Sequence, residues 1–450
     1  MMRRFLNRLG ILTLGWLLVA SSFVSAQTLI RDSELEESMW RISEPLLEVS
    51  GLSFGGVEIF IVNDRSMNAF VLGNDIYLHS GLIQRLERVE QLQSVIAHEI
   101  GHITGGHGSQ RVARIGGVGT LAGLGIALGI AVAAASGEGA AGAGVAAGLN
   151  DAAVRNLLAF TRAQEASADQ TGALILAAAG INPIAALEVF GYFRGQESLT
   201  SIRQDAYIRT HPLTSDRIAY LEEAAERYAS LPRDGDPELK YWFERAQAKF
   251  DGFTLDPNTV LRRIPTSDTG EIATLRRAIA YFKRGELDRS RRELDRLTEF
   301  RPDDPFYYDL RGQIFLESGQ TNEAIKAYET ALSMRPQDSQ VMAGLGRAQL
   351  ALGTSSGNQD ALETLQASYA RDARNSRMLR DLSIAYAANG EQGLASLATA
   401  ERYALRGNIR QAVFHAERAL ELLPEGSVGA LKAQDILTAI SNRARASNSR

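Results

Sequence analysis

The five residues His98-Glu99-Ile100-Gly101-His102 place two imidazoles and a carboxylate within little more than one helical turn. At about 3.6 residues per turn the two histidines stack on one face, so both rings can reach a single metal ion. Glu99 falls a rotation away, placed to act on the attacking water rather than to ligate. Two imidazoles do not complete a catalytic zinc site, and a third ligand is required. The chain has no cysteine and six histidines (His79, His98, His102, His107, His211 and His415), so that ligand must be histidine or carboxylate. The missing cysteines also exclude disulfides, iron–sulfur clusters and cysteine nucleophiles.

An extended H-E-x-x-H-x-x-G-x-x-H pattern fails by one residue. Gly105 is in place, but the histidine is His107 and the pattern needs it at Gly108. A shift of one position turns a side chain away, so His107 reads as a surface residue or a neighbour of the ligands. Between His102 and Asp151 the only acid is Glu138. The next carboxylates on a convincing helix are Glu165 and Asp169, four apart and hence on one face. Glu165 is the expected third ligand, and Asp169 is expected to hydrogen-bond a ligating histidine or brace the helix.

The elements that must position these groups follow from local patterning. Residues 33–50 read as a helix, and VEIFIV (57–62), NAFVL (68–72) and DIYLHS (75–80) as short strands. A helix from about Arg88 to His102 carries Leu92, Val95 and Ile96 as its buried stripe, which Ile103 continues. Residues 151–180, 183–195 and 212–230 read as further helices. Between them, residues 115–149 form a glycine- and alanine-rich run whose only charge is Glu138. Its uncharged stretch 115–135 is long enough to cross a bilayer, but glycine is abundant and an aromatic belt is missing. A loop or short helices covering the active site or touching a membrane surface is the alternative.

The stretch from Leu231 to about Gly270 carries Pro-Arg-Asp-Gly-Asp-Pro and other breakers around one helix, and residues 233–270 read as an interdomain linker. Beyond it the chain repeats every 34 residues, as Pro302 to Pro336 and Gly312 to Gly346 show. Gly312, Phe315, Ala324, Tyr328, Ala331 and Pro336 match the tetratricopeptide pattern, and Tyr403, Ala412, Ala416, Ala419 and Pro424 repeat it. About four such units are expected, presenting a concave surface to a partner. At the other end, Arg3, Arg4 and Arg8 precede the apolar run ILTLGWLLVA and a small-residue Val24-Ser25-Ala26 site. This is the form of a signal peptide cleaved after Ala26.

The 450 residues are 45% hydrophobic and 22% charged, which excludes wholesale disorder. The net charge of −5 gives no nucleic-acid signal. The expected fold is mainly α: an α+β protease domain over 27–232, with a small sheet beside the metal helix, and an all-α repeat solenoid over 271–425. Residues 426–450 close it as a helix or tail.

HEIGH, the EASAD helix, the strand-turn NAFVLGNDIYLHSGLI and the later THPLTSDR together resemble the HtpX and CAAX-prenyl-protease family of zinc metallopeptidases. A signal peptide with C-terminal repeats narrows the resemblance to its BepA-like periplasmic members. It implies one zinc held by His98, His102 and Glu165, with Glu99 as general base. It also places His211 and Arg217 beside the active site. Either can donate a hydrogen bond to a developing oxyanion, or His211 can take the fourth metal position and hold the enzyme latent. The strand at Asn68, Ala69 and Phe70 is a candidate to bind substrate as an added strand. The implied partners are unfolded or misassembled outer-membrane proteins and their assembly machinery, engaged through the repeats. The competing reading is a chaperone or adaptor in which proteolysis is secondary.

Overall fold

The computed structural model describes residues 29–53, 55–110, 160–196 and 205–448. The expected leader and the glycine-rich run lie outside these residues. Among the described residues, no helix is long and apolar enough to cross a membrane.

The fold is mainly α with one small mixed sheet. Strands β1 (Leu29–Ile30), β2 (Ile59–Val62), β3 (Ala69–Leu72) and β4 (Asp75–His79) are ordered β1-β2-β4-β3. β2 runs parallel to β4, while β3 pairs antiparallel with β4 and lies at the sheet edge. Helix α1 (Ser33–Val49) starts on an Asp32 cap that accepts from the Leu35 amide, and buries Leu35, Met39, Ile42 and Leu46. The short α2 (Ser80–Arg85) follows β4 directly. Helix α3 (Val89–Thr104) carries the HEIGH motif and is buried through most of its length.

Helix α4 (Arg162–Ala178) opens on a Thr161–Gln164 capping box, which fixes where the EASAD face begins. Two glycines allow α4 to lie tightly on α3. A Cβ on Gly101 would sit 2.7 Å from the Ala168 carbonyl oxygen, and one on Gly172 would sit 3.2 Å from His98 Cα. The motif's central glycine is therefore a packing device that lets Glu165 reach the two histidines. Helices α5 (Ile184–Gly191), α6 (Ala206–Thr210) and α7 (Ser215–Arg227) complete this layer, with Thr214 capping α7.

The stretch 233–270 contains two helices, α8 (Pro237–Thr254) and α9 (Pro257–Arg263). α8 is no loose connection: Phe243, Ala246 and Phe250 belong to the same apolar core as α1 and α3. Its opposite side meets the repeat array. Buried Arg245 pairs with Glu34 of α1 at 2.7 Å and with Asp304 at 2.5 Å. Buried Lys249 pairs with Asp32 at 2.7 Å and Glu34 at 3.2 Å.

Five antiparallel helix pairs follow: α10 (Glu271–Lys283) with α11 (Leu287–Phe300), α12 (Pro305–Glu317) with α13 (Thr321–Met334), and α14 (Ser339–Ala351) with α15 (Ser355–Arg371). The last two are α16 (Ser376–Ala388) with α17 (Gln392–Leu405) and α18 (Ile409–Leu422) with α19 (Val428–Asn448). The signature glycine acts as its type requires, since a Cβ on Gly312 would lie 2.8 Å from the Tyr328 ring. The array curls back onto the sheet side, where Arg31 pairs with Asp372 at 2.8 Å and Arg374 pairs with Glu58.

Candidate metal centre

Four donor atoms converge where α3, α4 and the end of α6 meet. His98, His102, Glu165 and His211 are all buried, and one ligand atom from each lies within 4.8 Å of all the others. His98 Nε2 is 3.2 Å from His102 Nε2 and 3.3 Å from His211 Nδ1. Glu165 Oε1 is 3.4 Å from His102 Nε2 and 3.1 Å from His211 Nδ1. Donors placed tetrahedrally about 2.1 Å from a common ion stand about 3.4 Å from each other. Imidazole and carboxylate lone pairs packed this closely in a dry interior repel unless a cation or protons stand between them. The donor set therefore fits a divalent cation.

The surrounding residues fix the orientation of each donor. His98 Nδ1 lies 3.0 Å from Asp169 Oδ1, which holds the proton there and turns Nε2 toward the other donors. Burial disfavours the charged His98 ring, but its bonds to Asp169 and Glu165 outweigh this and lift its pKa to about 10. Arg217 grips Asp169 with two bonds of 2.6 and 2.9 Å, and its remaining nitrogen reaches Glu165 Oε2 at 2.8 Å and the Pro212 carbonyl at 2.8 Å. Burial alone would raise the Glu165 carboxyl; the charge on His211 and the bonds from the three histidines hold it well below its ordinary value. Burial pushes His102 well down, toward the neutral form that ligates.

Glu99 is fully buried, with Oε1 3.5 Å from His211 Nε2. That same nitrogen lies 3.1 Å from the Ala69 carbonyl on the edge strand β3. Asn68 is also buried, accepting from Thr210 Oγ1 at 3.1 Å, while its side-chain nitrogen has no hydrogen-bond partner among the described residues. Phe70 points elsewhere and stacks on Tyr77, ring centres 5.0 Å apart. His107 lies outside the four-donor group, with Nδ1 3.0 Å from His102 Nδ1. His79 sits 2.9 Å from Ser66 Oγ, and His415 stacks on Tyr403, both away from the donors.

Two aromatic walls escaped the sequence reading. Phe160 stacks on His102 at 3.6 Å and Tyr207 on His211 at 4.9 Å. The available signals were weak: Phe160 directly precedes the Thr161 cap, and Tyr207 lies four residues before His211.

Residues 33–225, which contain every donor, match peptidase family M48. The chain carries an M48 metalloprotease domain. Residues 315–355 match a tetratricopeptide repeat, so the M48 domain is joined to a repeat array within one chain. The chain is 28% identical over 372 residues to the beta-barrel assembly-enhancing protease of Escherichia coli K12, covering 79% of this chain and 72% of that one. It is 28% identical over 294 residues to a putative beta-barrel assembly-enhancing protease of Vibrio cholerae, spanning 63% of this chain and 59% of that protein's length. The mitochondrial metalloendopeptidase OMA1 of Schizosaccharomyces pombe is 27% identical over 184 residues, 41% of this chain and 51% of the relative. Among solved structures, the MamA protein matches 38% of this chain and 89% of its own at 17% identity, with a TM-score of 0.30.

Proposed function

We propose that this protein is a periplasmic zinc endopeptidase that acts in the assembly and quality control of outer-membrane proteins. Its repeats would engage unfolded or misassembled outer-membrane proteins or the machinery that assembles them, and residues 115–149 would touch the membrane surface. The observation that carries the peptidase reading is the convergence of His98, His102, Glu165 and His211 beside buried Glu99. The relatives named beta-barrel assembly-enhancing proteases support the substrate class, and the leader pattern supports the compartment.

His98, His102 and Glu165 are the residues that would hold the zinc. Zinc held there supplies a Lewis acid that polarises the scissile carbonyl and acidifies water. Glu99 takes the proton of the attacking water and returns it to the leaving amine. Asp169 fixes the His98 tautomer. Arg217 is expected to position Glu165 and Asp169 rather than to meet an oxyanion, because its donors are already committed to them and to Pro212. Edge strand β3 offers its backbone to an extended peptide beside the donors, at Asn68, Ala69 and Phe70.

A second reading is favoured by His211, which stands among the donors and also bonds the Ala69 carbonyl that an added strand would approach. In this state the enzyme is latent, and the repeat array does the main work as a chaperone or adaptor. Casein digestion separates the two. Glu99→Gln should lower cleavage by about 10²–10⁴-fold while metal content is retained. Equal cleavage by wild type and variant, or no metal-dependent cleavage alongside rescue of an outer-membrane defect, would sink the enzyme-first reading. His211→Ala should raise cleavage if His211 keeps the site latent; loss of activity with metal retained would give His211 a role in catalysis.

A further inference from the structure

The concave face of the repeat array closes against the start of the M48 domain and leaves a cavity of about 540 Å³. Its charge is unevenly distributed. Toward α8 and α12 it is lined by Lys249, Asp32 and Asp309, where acid and base offset each other. Toward α14, α16 and α17 it is lined by Arg347, Arg377, Arg380, Arg402 and Arg406.

Among the described residues, Asp381 is the only carboxylate that pairs with these five guanidinium groups. Arg347 reaches it at 2.8 Å and Arg380 at 2.7 Å. Arg377, Arg402 and Arg406 form no ion pair with a described residue, and the buried Arg402 Nε has no hydrogen-bond partner among them. Crowding is felt within the group: burial and the charge of Arg347 lower the Arg377 pKa, and burial and the charge of Arg406 lower that of Arg402. Such a patch is unfavourable for the free protein, and a ligand that supplies carboxylates removes the penalty.

The placement is periodic. Gln313, Arg347 and Asp381 are 34 residues apart, as are Asp309, Ala343 and Arg377, so successive repeats present these positions along one groove. The guanidinium groups come from three helices, more than one carboxylate can bridge. The overall charge of −5 opposes a long polyanion such as nucleic acid.

We propose that this arginine-lined end of the repeat groove binds an extended peptide segment bearing several aspartate or glutamate side chains. The assignment stands apart from the peptidase reading, because none of these arginines belongs to the metal centre.

The test is fluorescence anisotropy with the full chain and a fluorescein-labelled peptide alternating glutamate and serine. Its glutamine counterpart, a C-terminally amidated form and a single-stranded oligonucleotide serve as comparisons. The glutamate peptide should bind in a salt-sensitive way, equally with or without amidation, and the glutamine peptide and oligonucleotide at least about tenfold more weakly. Arg377→Glu with Arg402→Glu should weaken binding at least about tenfold, and the milder Arg377→Gln in the same direction. Arg410→Glu, exposed and outside the cavity lining, should leave binding unchanged, with thermal melts confirming that each variant folds. Equal binding of the glutamine peptide or oligonucleotide, loss on amidation, or indifference to Arg377→Gln and to the paired substitution would overturn the proposal.

Discussion

Two clusters of buried charge lie close to helix α1 and α3, and they are built on opposite plans. At the junction with the repeats, cations and anions alternate: Asp32, Lys249, Glu34, Arg245 and Asp304 each touch an opposite charge. In the metal centre, lone-pair donors face lone-pair donors, with His98 and His102 Nε2 3.2 Å apart. The first arrangement is complete in itself. The second has no such alternation among its four donors and fits a cation, which marks a candidate site rather than a staple. Burial and perturbed pKa values are common to both and do not tell them apart; the sign pattern does.

The sharpest way to break this comparison is at the junction. Arg245→Met leaves Asp304 without its ion-pair partner and Glu34 with Lys249 alone, and should cost about 3–5 kcal/mol, read from urea midpoints. A loss below about 1 kcal/mol, the scale of surface pairs, would show that the junction is not a staple. Next is metal removal. Stripping the protein with a chelator should lower its stability by on the order of 3 kcal/mol, since a ligand that binds only the folded state stabilises by mass action. Glu165→Gln should remove most of that difference, while Arg245→Met should preserve it.

The smallest effect is in pH dependence. Burial would raise the Glu34 carboxyl, but Arg245 and Lys249 outweigh it and hold the group below its ordinary 4.5. The stability it contributes is therefore full above pH 4.5 and lost as pH falls through the lower folded value. Glu34→Gln should flatten acid unfolding in that range. Asp309 behaves oppositely: burial lifts it from 3.8 to about 8 against the pull of Lys249, so stability drains as pH rises across that window. Asp309→Asn should flatten the slope between pH 3.8 and about 8, and unchanged slopes in both variants would remove the junction from the pH response.

How much of this was legible in the sequence depended on range. The HEIGH pair needs only helical periodicity, and Glu165 could be reached by elimination because the intervening run has a single acid. His211 lies 113 residues from His98 and carries no local pattern, so only the family resemblance pointed to it. Phe160 and Tyr207 look like ordinary core residues until the rings they face are known. One helix was expected in this stretch, but the packing of α8 into the core was concealed by its own start signal. The prolines and acids read as breakers include Asp236 and Pro237, which form its cap and first turn. The repeats were plain from Pro302 and Pro336. Gly285, Gly319 and Gly353 share the 34-residue spacing and turn with positive φ, a cue that also fixes where each pair reverses.

The ion pairs of α8 also impose an order in time. Glu34 meets Arg245 only after 211 further residues have been made, and Arg245 meets Asp304 after another 59. Before α8 is made, α1 carries in Glu34 a carboxylate whose two buried partners, Arg245 and Lys249, are both missing. A chain cut short before α8 is therefore expected to lack both of these ion pairs and the Phe243, Ala246 and Phe250 side chains that complete the core around α1 and α3.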